Sequence, residues 1–105
     1  MVPTIEVKDL QALRQKKEPH FLLDVREPDE YEICRIEGST LIPLGQLDKR
    51  LSELPKDKPL VVHCHHGGRS ARAVNLLTSR GFSASNLAGG IDAWSEQIDP
   101  SVPRY

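Results

Sequence analysis

The chain has 105 residues, of which 38% are hydrophobic and 28% are charged. This length and composition predict a single domain with its own core, residues 1–105, and exclude a second domain of ordinary size. The 14 basic and 15 acidic residues are interspersed along the chain and leave a formal net charge of -1, so we expect no nucleic acid among its partners.

The two cysteines, Cys34 and Cys64, are far apart in the sequence and form no closely spaced pair. This pattern differs from the disulfide framework of small secreted domains and favours a reducing compartment. The N-terminal sequence has no basic segment followed by an apolar stretch, and the longest apolar runs are far too short to cross a bilayer. We therefore expect a soluble, cytoplasmic protein with no membrane partner.

Short apolar runs alternate with amphipathic stretches of helical length, which predicts an α/β domain with a largely parallel central sheet. In chain order, the predicted elements are strands at 21–25, 41–42, 60–63 and 85–87, and helices at 28–33, 44–54, 69–80 and 91–98. Proline and glycine residues lie where several of these helices begin or end. The proline-containing ends, at about 1–4 and 99–105, are predicted to be short tails.

The most informative feature of the sequence is the loop CHHGGRS, Cys64 to Ser70, between the best buried strand and a helix. It places a thiol at the carboxyl end of a parallel strand, where open α/β sheets form their binding crevice. The unpaired amides and the dipole of the following helix favour thiolate over thiol. Gly67 and Gly68 allow successive N–H groups to converge in an anion-binding nest, and Arg69 adds a permanent positive charge. The loop therefore predicts a reactive thiolate at Cys64.

This loop has two other interpretations, a structural turn and a metal site. A cysteine at the end of a buried strand often serves only as a small hydrophobic residue, but a purely structural turn needs neither two glycines nor an arginine. A metal site is suggested by the consecutive potential ligands His63, Cys64, His65 and His66. Adjacent strand residues point to opposite faces, and zinc sites space their ligands differently. We therefore expect no metal and no cofactor, with His63 half-buried and His65 and His66 at the rim of the loop.

Asp24 and Arg26 lie at the predicted end of the first strand, so they can share the crevice edge with the loop. Arg26 is expected to orient loop carbonyls or to bind an anionic sulfur donor. For Asp24 we favour a supporting role, as a structural ion pair or as a carboxylate that caps nearby amides. Trp94 is expected to belong to the core on the inner face of the last helix.

Together these segments resemble the rhodanese family over nearly the whole chain. The matching pieces are LLDVRE at 22–27, EY at 30–31, IEG at 36–38, IPL at 42–44, VVHCHHGGRS at 61–70 and LAGGIDAW at 87–94. The resemblance implies a five-stranded, mainly parallel sheet flanked by helices on both faces, with Cys64 as the sulfur-carrying nucleophile. It also implies a substrate-binding loop, supported by Ser70, whose amides hold the terminal sulfur and which consists of His65, His66, Gly67, Gly68 and Arg69.

The stretches EYEICRIEGSTLIPLGQL and DPSVPRY are similar to the rhodanese domain at the carboxyl end of some adenylating enzymes, which charge a ubiquitin-like sulfur carrier. This resemblance implies three partners: a thiosulfate or persulfide donor, an adenylating enzyme and a ubiquitin-like sulfur-carrier protein. The sequence is compatible both with an excised domain and with a free-standing protein. It departs from the family pattern at Cys34, Arg35 and Glu37, where we expect Cys34 to be packed and not to resolve a disulfide.

The predicted reaction is sulfur transfer through a Cys64 persulfide, with sulfane sulfur taken from thiosulfate or from a donor persulfide. A phosphatase would use the same parts, a cysteine thiolate, an amide nest and an arginine. Only four residues separate Cys64 from Arg69, however, whereas the related phosphatase signature has five in a ring wide enough for a tetrahedral phosphate. A non-catalytic partner-binding module is the third interpretation, and an intact Cys64 makes it less attractive.

Overall fold

Five short strands form one parallel sheet in the computed structural model of the chain, which describes residues 2–105. The strands are β1 (Thr4–Ile5), β2 (Phe21–Asp24), β3 (Thr40–Leu41), β4 (Leu60–His63) and β5 (Ala84–Leu87). Their spatial order is β1-β5-β4-β2-β3, and every neighbouring pair runs parallel. The strand that leads into Cys64 is therefore the central one, with its end surrounded by the ends of its neighbours.

Helices cover both faces of this sheet. They are α1 (Val7–Gln15), α2 (Pro28–Ile33), α3 (Leu44–Leu47), α4 (Gly68–Ser79) and α5 (Gly90–Gln97), with a 3-10 turn at Leu51–Glu53. Side chains alternate along β4, so Leu60 and Val62 pack in the core under α3 and α4, whereas Val61 packs in the core under α1 and α5. The predicted five-stranded parallel sheet with helices on both faces is confirmed. Within residues 2–105, no helix is long and apolar enough to span a membrane.

Two elements near the N-terminus do not follow from the sequence pattern. Thr4, assigned to a tail, belongs to β1 and pairs with Asn86 of β5. Helix α1 starts with a capping box in which Glu6 and Asp9 exchange side-chain contacts with each other's main chain. Glutamate is not among the residues that usually cap helices, and a strand of two residues is too short to show a period, so both elements escape prediction.

The leucine-rich segment after β3 is less continuous than predicted. In place of one helix over 44–54, the structure has the short helix α3 and a separate 3-10 turn. Arg50, between them, has φ -119° and ψ 20°, outside the helical region. Leu47 and Leu54 nevertheless remain buried in the core shared with α4. The leucine spacing therefore identified the residues that face the core but not the continuity of the helix.

The C-terminal segment predicted as a tail, residues 99–105, contains no helix or strand but is packed against the domain. Val102 is buried, and the hydroxyl of Ser95 in α5 donates to its carbonyl oxygen. Arg104 pairs with Asp92, also in α5, through two contacts of 2.9 and 3.1 Å. These contacts carry the chain back to the end of β4, where Tyr105 reaches the cysteine loop.

Candidate active site

Cys64 follows the last residue of the central strand, and its own loop folds over its sulfur. The residue is 1% exposed, and its Sγ accepts hydrogen bonds from the main-chain N–H of Gly67 at 3.1 Å and of Ser70 at 3.4 Å. The loop turns at Gly67, whose φ of +123° is readily adopted only by glycine. The structure thus brings the start of α4 onto the sulfur, so that main-chain dipoles point at the thiol.

Ser70 also contributes its side chain. Its Oγ lies 3.3 Å from Cys64 Sγ and 2.5 Å from Oδ1 of Asn86 in β5. A hydroxyl has one proton, so it donates to one of these two acceptors at a time. Asn86 is itself fixed, because its Nδ2 donates to the carbonyl oxygen of Gly67 at 3.2 Å. The neighbouring strand therefore holds both the turn and the serine that face the sulfur.

These contacts set the charge state of Cys64. Burial raises the pKa of its thiol, but hydrogen bonds from the Ser70 hydroxyl and from the N–H groups of Ser70, Gly67 and Arg69 lower it. The donors outweigh burial, and the pKa of Cys64 falls below its ordinary value. Within residues 2–105, His65, His66 and Gly68 donate no hydrogen bond to this sulfur.

The guanidinium of Arg69 is paired with a carboxylate. Its Nη1 and Nη2 donate to the two carboxylate oxygens of Glu30 in α2, at 2.6 and 2.9 Å. The hydrogen bond from Arg69 lowers the pKa of Glu30 to about 2, although burial opposes this shift. The guanidinium of Arg69 thus anchors the start of α4 to α2 and still interacts electrostatically with Cys64, while its main-chain N–H is among the donors that lower the pKa of the thiol.

Arg26 does not have the role predicted for it. Its side chain is fully buried in an ion pair with Asp24, Nη2 to Oδ2 2.7 Å. Its remaining donors contact the carbonyl oxygens of Cys34 and Glu30 and the hydroxyl of Tyr105. With every donor occupied and no exposed surface, Arg26 is not available to bind an anionic donor, and the carbonyls it orients belong to the end of α2. The structural ion pair favoured for Asp24 is present.

The three histidines around Cys64 differ in burial. His63 is fully buried, not half-buried as predicted, and burial lowers its pKa to about 4, so the ring is neutral at pH 7. Neither of its ring nitrogens makes a well-aligned hydrogen bond with residues 2–105. His65 is partly exposed, and its ring stacks on that of Tyr105 and lies tilted by 31° to that of His66, both at a centroid distance of 3.9 Å. His66 is exposed, so the rim position predicted for these two residues agrees with the structure.

One group of metal-ligating side chains lies at this rim. Ligand atoms of His65, His66 and Asp92 are within 4.8 Å of one another. Both carboxylate oxygens of Asp92 already accept hydrogen bonds from Arg104. The carboxylate of Asp92 therefore functions here as the anchor of the C-terminal segment.

The start of α5 supports the loop from the opposite side. The N–H groups of Ile91 and Asp92 donate to the carbonyl oxygens of Cys64 and His65, at 2.9 and 3.1 Å. Gly90 makes this approach possible, because a Cβ atom there would lie only 2.5 Å from both of these oxygens. Two helix starts therefore hold the loop: α4 supplies donors to the sulfur, and α5 supplies donors to the carbonyls.

Four residues at the site have no role assigned by the sequence: Glu30, Asn86, Gly90 and Tyr105. Glu30 and Gly90 lie within the matching pieces EY and LAGGIDAW, and Tyr105 ends the stretch DPSVPRY. The resemblance therefore marked three of these positions, although nothing in the spacing indicated what they contact. Nothing in the sequence marked Asn86 as a residue of the site, because a polar residue in a short strand is common.

Both the sequence and the structure of this chain are similar to those of known proteins. A family model described as a rhodanese-like domain matches residues 6–97. The crystal structure of a rhodanese-related protein from Thermoplasma volcanium has a TM-score of 0.84 and 35% sequence identity to this chain, covering 98% of this chain and 99% of that one. The match therefore extends over the whole sheet and the cysteine loop.

Two longer relatives have names that state two activities. The Zea mays protein named adenylyltransferase and sulfurtransferase MOCS3-1 is 38% identical over 109 residues, which cover 96% of this chain and 23% of the relative. The Mycobacterium tuberculosis protein named probable adenylyltransferase/sulfurtransferase MoeZ is 37% identical over 105 residues, which cover 97% of this chain and 27% of the relative. The chain thus spans about a quarter of the length of these curated relatives.

Proposed function

This chain belongs to the rhodanese-like family, and on that premise we propose that it is a sulfurtransferase in which Cys64 carries sulfane sulfur as a persulfide. The observation that carries the proposal is the convergence of Gly67 N–H, Ser70 N–H and Ser70 Oγ on Cys64 Sγ, all within 3.4 Å. Such donors stabilise negative charge on sulfur, both in the attacking thiolate and in the persulfide that it forms.

The first half of the proposed reaction loads the sulfur. The Cys64 thiolate attacks the outer sulfur of thiosulfate, the sulfur–sulfur bond of thiosulfate breaks, and sulfite leaves with the bonding electrons. One negative charge stays on the terminal sulfur of the Cys64 persulfide, so charge and atoms balance. With a donor persulfide in place of thiosulfate, the leaving group is the donor's thiolate. No proton transfer by His65 or His66 is required in this step.

The second half unloads the sulfur. A nucleophilic acceptor such as a thiolate attacks the terminal sulfur, and the Cys64 thiolate leaves as in the resting enzyme. An activated carboxylate is the alternative acceptor: the terminal sulfur attacks its carbonyl carbon, expels the activating group and forms an acyl disulfide, which a further thiol must reduce. The adenylating activity in the names of the two relatives supports this second route. It also supports an adenylating enzyme and a ubiquitin-like sulfur-carrier protein as partners.

The proposed binding residues follow from the loop geometry. Gly67, Arg69 and Ser70 contribute main-chain donors, and His65, His66 and Gly68 shape the rim and the turn. Since Cys64 is 1% exposed, the donor must present its sulfur at the end of a narrow or extended group. Both cysteines are free thiols, which suits a reducing compartment such as the cytoplasm.

The test is to identify the sulfur-carrying residue directly. After incubation with thiosulfate and removal of excess reagent, mass spectrometry of the digested protein should show one added sulfur atom on the peptide with Cys64 and none on the peptide with Cys34. Turnover of thiosulfate with a thiol acceptor should be measured on the same sample, alongside hydrolysis of an aryl phosphate. Persulfide found only on Cys34, or turnover without any loaded Cys64, contradicts the proposal.

A further inference from the structure

Tyr105 contacts three groups of the site although it lies 41 positions beyond Cys64. Its hydroxyl donates to Oε2 of Glu30 at 2.8 Å and accepts from Nη1 of Arg26 at 2.9 Å. Its ring lies parallel to that of His65, with 3.9 Å between centroids and 7° between planes. One side chain therefore joins the buried ion pair, the carboxylate of α2 and the first residue of the loop after Cys64.

Two of these contacts, with Glu30 and with His65, connect Tyr105 to the groups around the sulfur. Glu30 holds the guanidinium of Arg69 through two hydrogen bonds, and the main-chain N–H of Arg69 is among the donors that lower the pKa of Cys64. On the other side of the sulfur, His65 directly follows Cys64 in the sequence. The hydroxyl of Tyr105 is thus linked to the C-terminal end of the loop, where α4 begins, and its ring contacts the N-terminal end, just after β4.

The approach of Tyr105 is built into the packing of the C-terminal segment. Val102 is buried in the core under α1 and α5, and Arg104 pairs with Asp92, so these two anchored residues fix the direction in which the chain reaches Tyr105. Tyr105 itself keeps 40% of its surface exposed. A side chain that served only to fill the core would be buried. Tyr105 is not buried, and its hydroxyl makes hydrogen bonds with Glu30 and Arg26.

We propose that Tyr105 is a positioning residue for sulfur transfer, which fixes Glu30, Arg69 and His65 so that the loop amides stay directed at Cys64 Sγ. The catalytic part of this inference rests on the proposed sulfurtransferase function, while the effect on the thiol itself does not. Tyr105 touches no reacting atom. It acts by keeping donors in place, and small displacements of such groups cost a large part of their effect.

The test compares Tyr105→Phe, Tyr105→Leu and a matched control, Tyr31→Phe. Tyr31 is the other tyrosine, and its hydroxyl donates to the carbonyl oxygen of Ser39 at 3.2 Å, away from the loop. The readouts are the pH profile of Cys64 alkylation, followed by mass spectrometry of its peptide, and kcat and KM for thiosulfate. Thermal unfolding of each variant shows that the compared samples are folded.

Tyr105→Leu removes the hydroxyl and the stacked ring, so we expect its alkylation profile to move to higher pH and its kcat to fall about five- to tenfold with little change in KM. Tyr105→Phe keeps the ring and should show a smaller change in the same direction. Tyr31→Phe should match the native protein in both measurements. If Tyr105→Leu does not fold, Tyr105→Phe alone decides, because it loses one oxygen atom, as the control does.

A native alkylation profile and a native kcat in folded Tyr105 variants would overturn the inference. So would equal changes in the Tyr31→Phe control, which would show a general effect of losing a hydroxyl. The alkylation assay contains no sulfur donor, so it tests Tyr105 even if the native protein fails to turn over thiosulfate. That failure would count against the proposed function and not against the role of Tyr105 in shaping the thiol.

Discussion

Cys64 and Cys34 are both buried thiols, but their sulfur atoms meet very different groups. They are 1% and 6% exposed, and neither forms a disulfide. The sulfur of Cys34 has one polar neighbour, Nη1 of Arg26 at 3.9 Å, which is directed mainly at other acceptors. The sulfur of Cys64 accepts from the main-chain N–H groups of Gly67 and Ser70, is also stabilised by that of Arg69, and faces a hydroxyl. Burial is shared by the two sites, and only the number of converging donors differs.

The comparison also shows that a nearby cation does not distinguish the reactive thiol. Arg26, beside Cys34, is paired with Asp24, and Arg69, beside Cys64, is paired with Glu30. Each positive charge is thus paired with a carboxylate, although the charge of Arg69 also interacts with Cys64. What Cys64 has in addition is the start of α4, brought over the thiol by the turn at Gly67. The reactivity of this site is therefore expected to depend on backbone geometry.

Replacing the two cysteines one at a time tests the comparison most strongly. Cys64→Ser should lower thiosulfate turnover by about a thousandfold or more, because serine is a much weaker nucleophile without a paired base. Cys34→Ser should stay within about twofold of the native kcat, since Cys34 is expected to be a packing residue. Steady-state kinetics on both variants, with circular dichroism to verify the fold, gives the answer. Similar losses in the two variants would indicate a relay between two thiols.

Changing the size of the loop tests whether the donors must converge on a single atom. Insertion of one glycine between His66 and Gly67 widens the ring, so we expect sulfur transfer to fall about a hundredfold, as when a donor to a developing charge is lost. The widened loop has the five-residue spacing of the phosphatase signature, so slow hydrolysis of an activated aryl phosphate is expected from it. Kinetics with thiosulfate and with the aryl phosphate measure both effects.

The native loop serves as the control for this insertion. It should turn over thiosulfate and show negligible phosphatase activity under matched conditions. Phosphatase turnover by the native protein that disappears in Cys64→Ser would reverse the choice between the two reactions. An insertion variant with native sulfur transfer would show that the amide ring is not needed.

Gly90→Ala tests the support that the loop receives from α5. The added methyl group would meet the carbonyl oxygens of Cys64 and His65 at 2.5 Å, so these carbonyls must shift. We expect about a tenfold loss of kcat and roughly 1–3 kcal/mol of stability. Gly45→Ala is the matched control, because a Cβ atom there meets nothing within 4 Å and alanine suits the helix α3 better than glycine does. Urea unfolding and kinetics on both variants separate the local clash from a general effect of the substitution.

The cysteine loop was predictable from sequence because its parts are contiguous. The order of strand, cysteine, two glycines and helix needs only the rule that parallel strands end at a common edge. The sheet was predictable for the same reason, since each strand except β1 is a local run of suitable residues. Burial of His63 was underestimated, because histidine is intermediate in its tendency to be buried and its position at the end of the best buried strand did not decide its exposure.

Contacts between distant segments account for most of what the sequence did not indicate. Glu30, Asn86 and Tyr105 belong to α2, β5 and the C-terminal segment, and their separation from Cys64 along the chain carries no periodic signal. Arg26 was wrongly placed at the substrate because its position at a strand end suited that role. Only the packing of Tyr105 and of the end of α2 around Arg26 reveals that its guanidinium has no free donor.

The smallest expected effect on activity comes from a substitution that changes the pH dependence of stability. It separates the cysteine loop from the charged network beneath it, by which we mean Asp24, Arg26 and the adjacent His63. His63 lies beside Asp24 in the sheet, and burial lowers its pKa from 6.5 to about 4. The unfolded chain therefore binds this proton first as the pH falls, so the free energy of unfolding should drop between about pH 6.5 and pH 4, by roughly 3 kcal/mol. Below about pH 4.5, protonation of Glu30 in the unfolded chain lowers the free energy of unfolding further, because the fold lowers the pKa of Glu30 from 4.5 to about 2.

His63→Leu is the substitution that isolates the first of these two windows. It replaces a buried ring without hydrogen bonds by an apolar side chain of similar volume, so the fall in stability between about pH 6.5 and pH 4 should largely disappear while the fall below about pH 4.5 remains. His65 also has a lowered pKa, caused first by burial, but it is partly exposed and should leave only a small residual slope. Urea unfolding of the native and variant proteins at pH 7.5, 5.5, 4.5 and about 3 measures both windows. Turnover of thiosulfate at pH 7.5 should change little, because His63 is neutral there and donates nothing to Cys64 Sγ.

An unchanged pH dependence of stability in His63→Leu would show that another group titrates in this range. A large loss of turnover at pH 7.5 would show that the loop and the charged network are not independent.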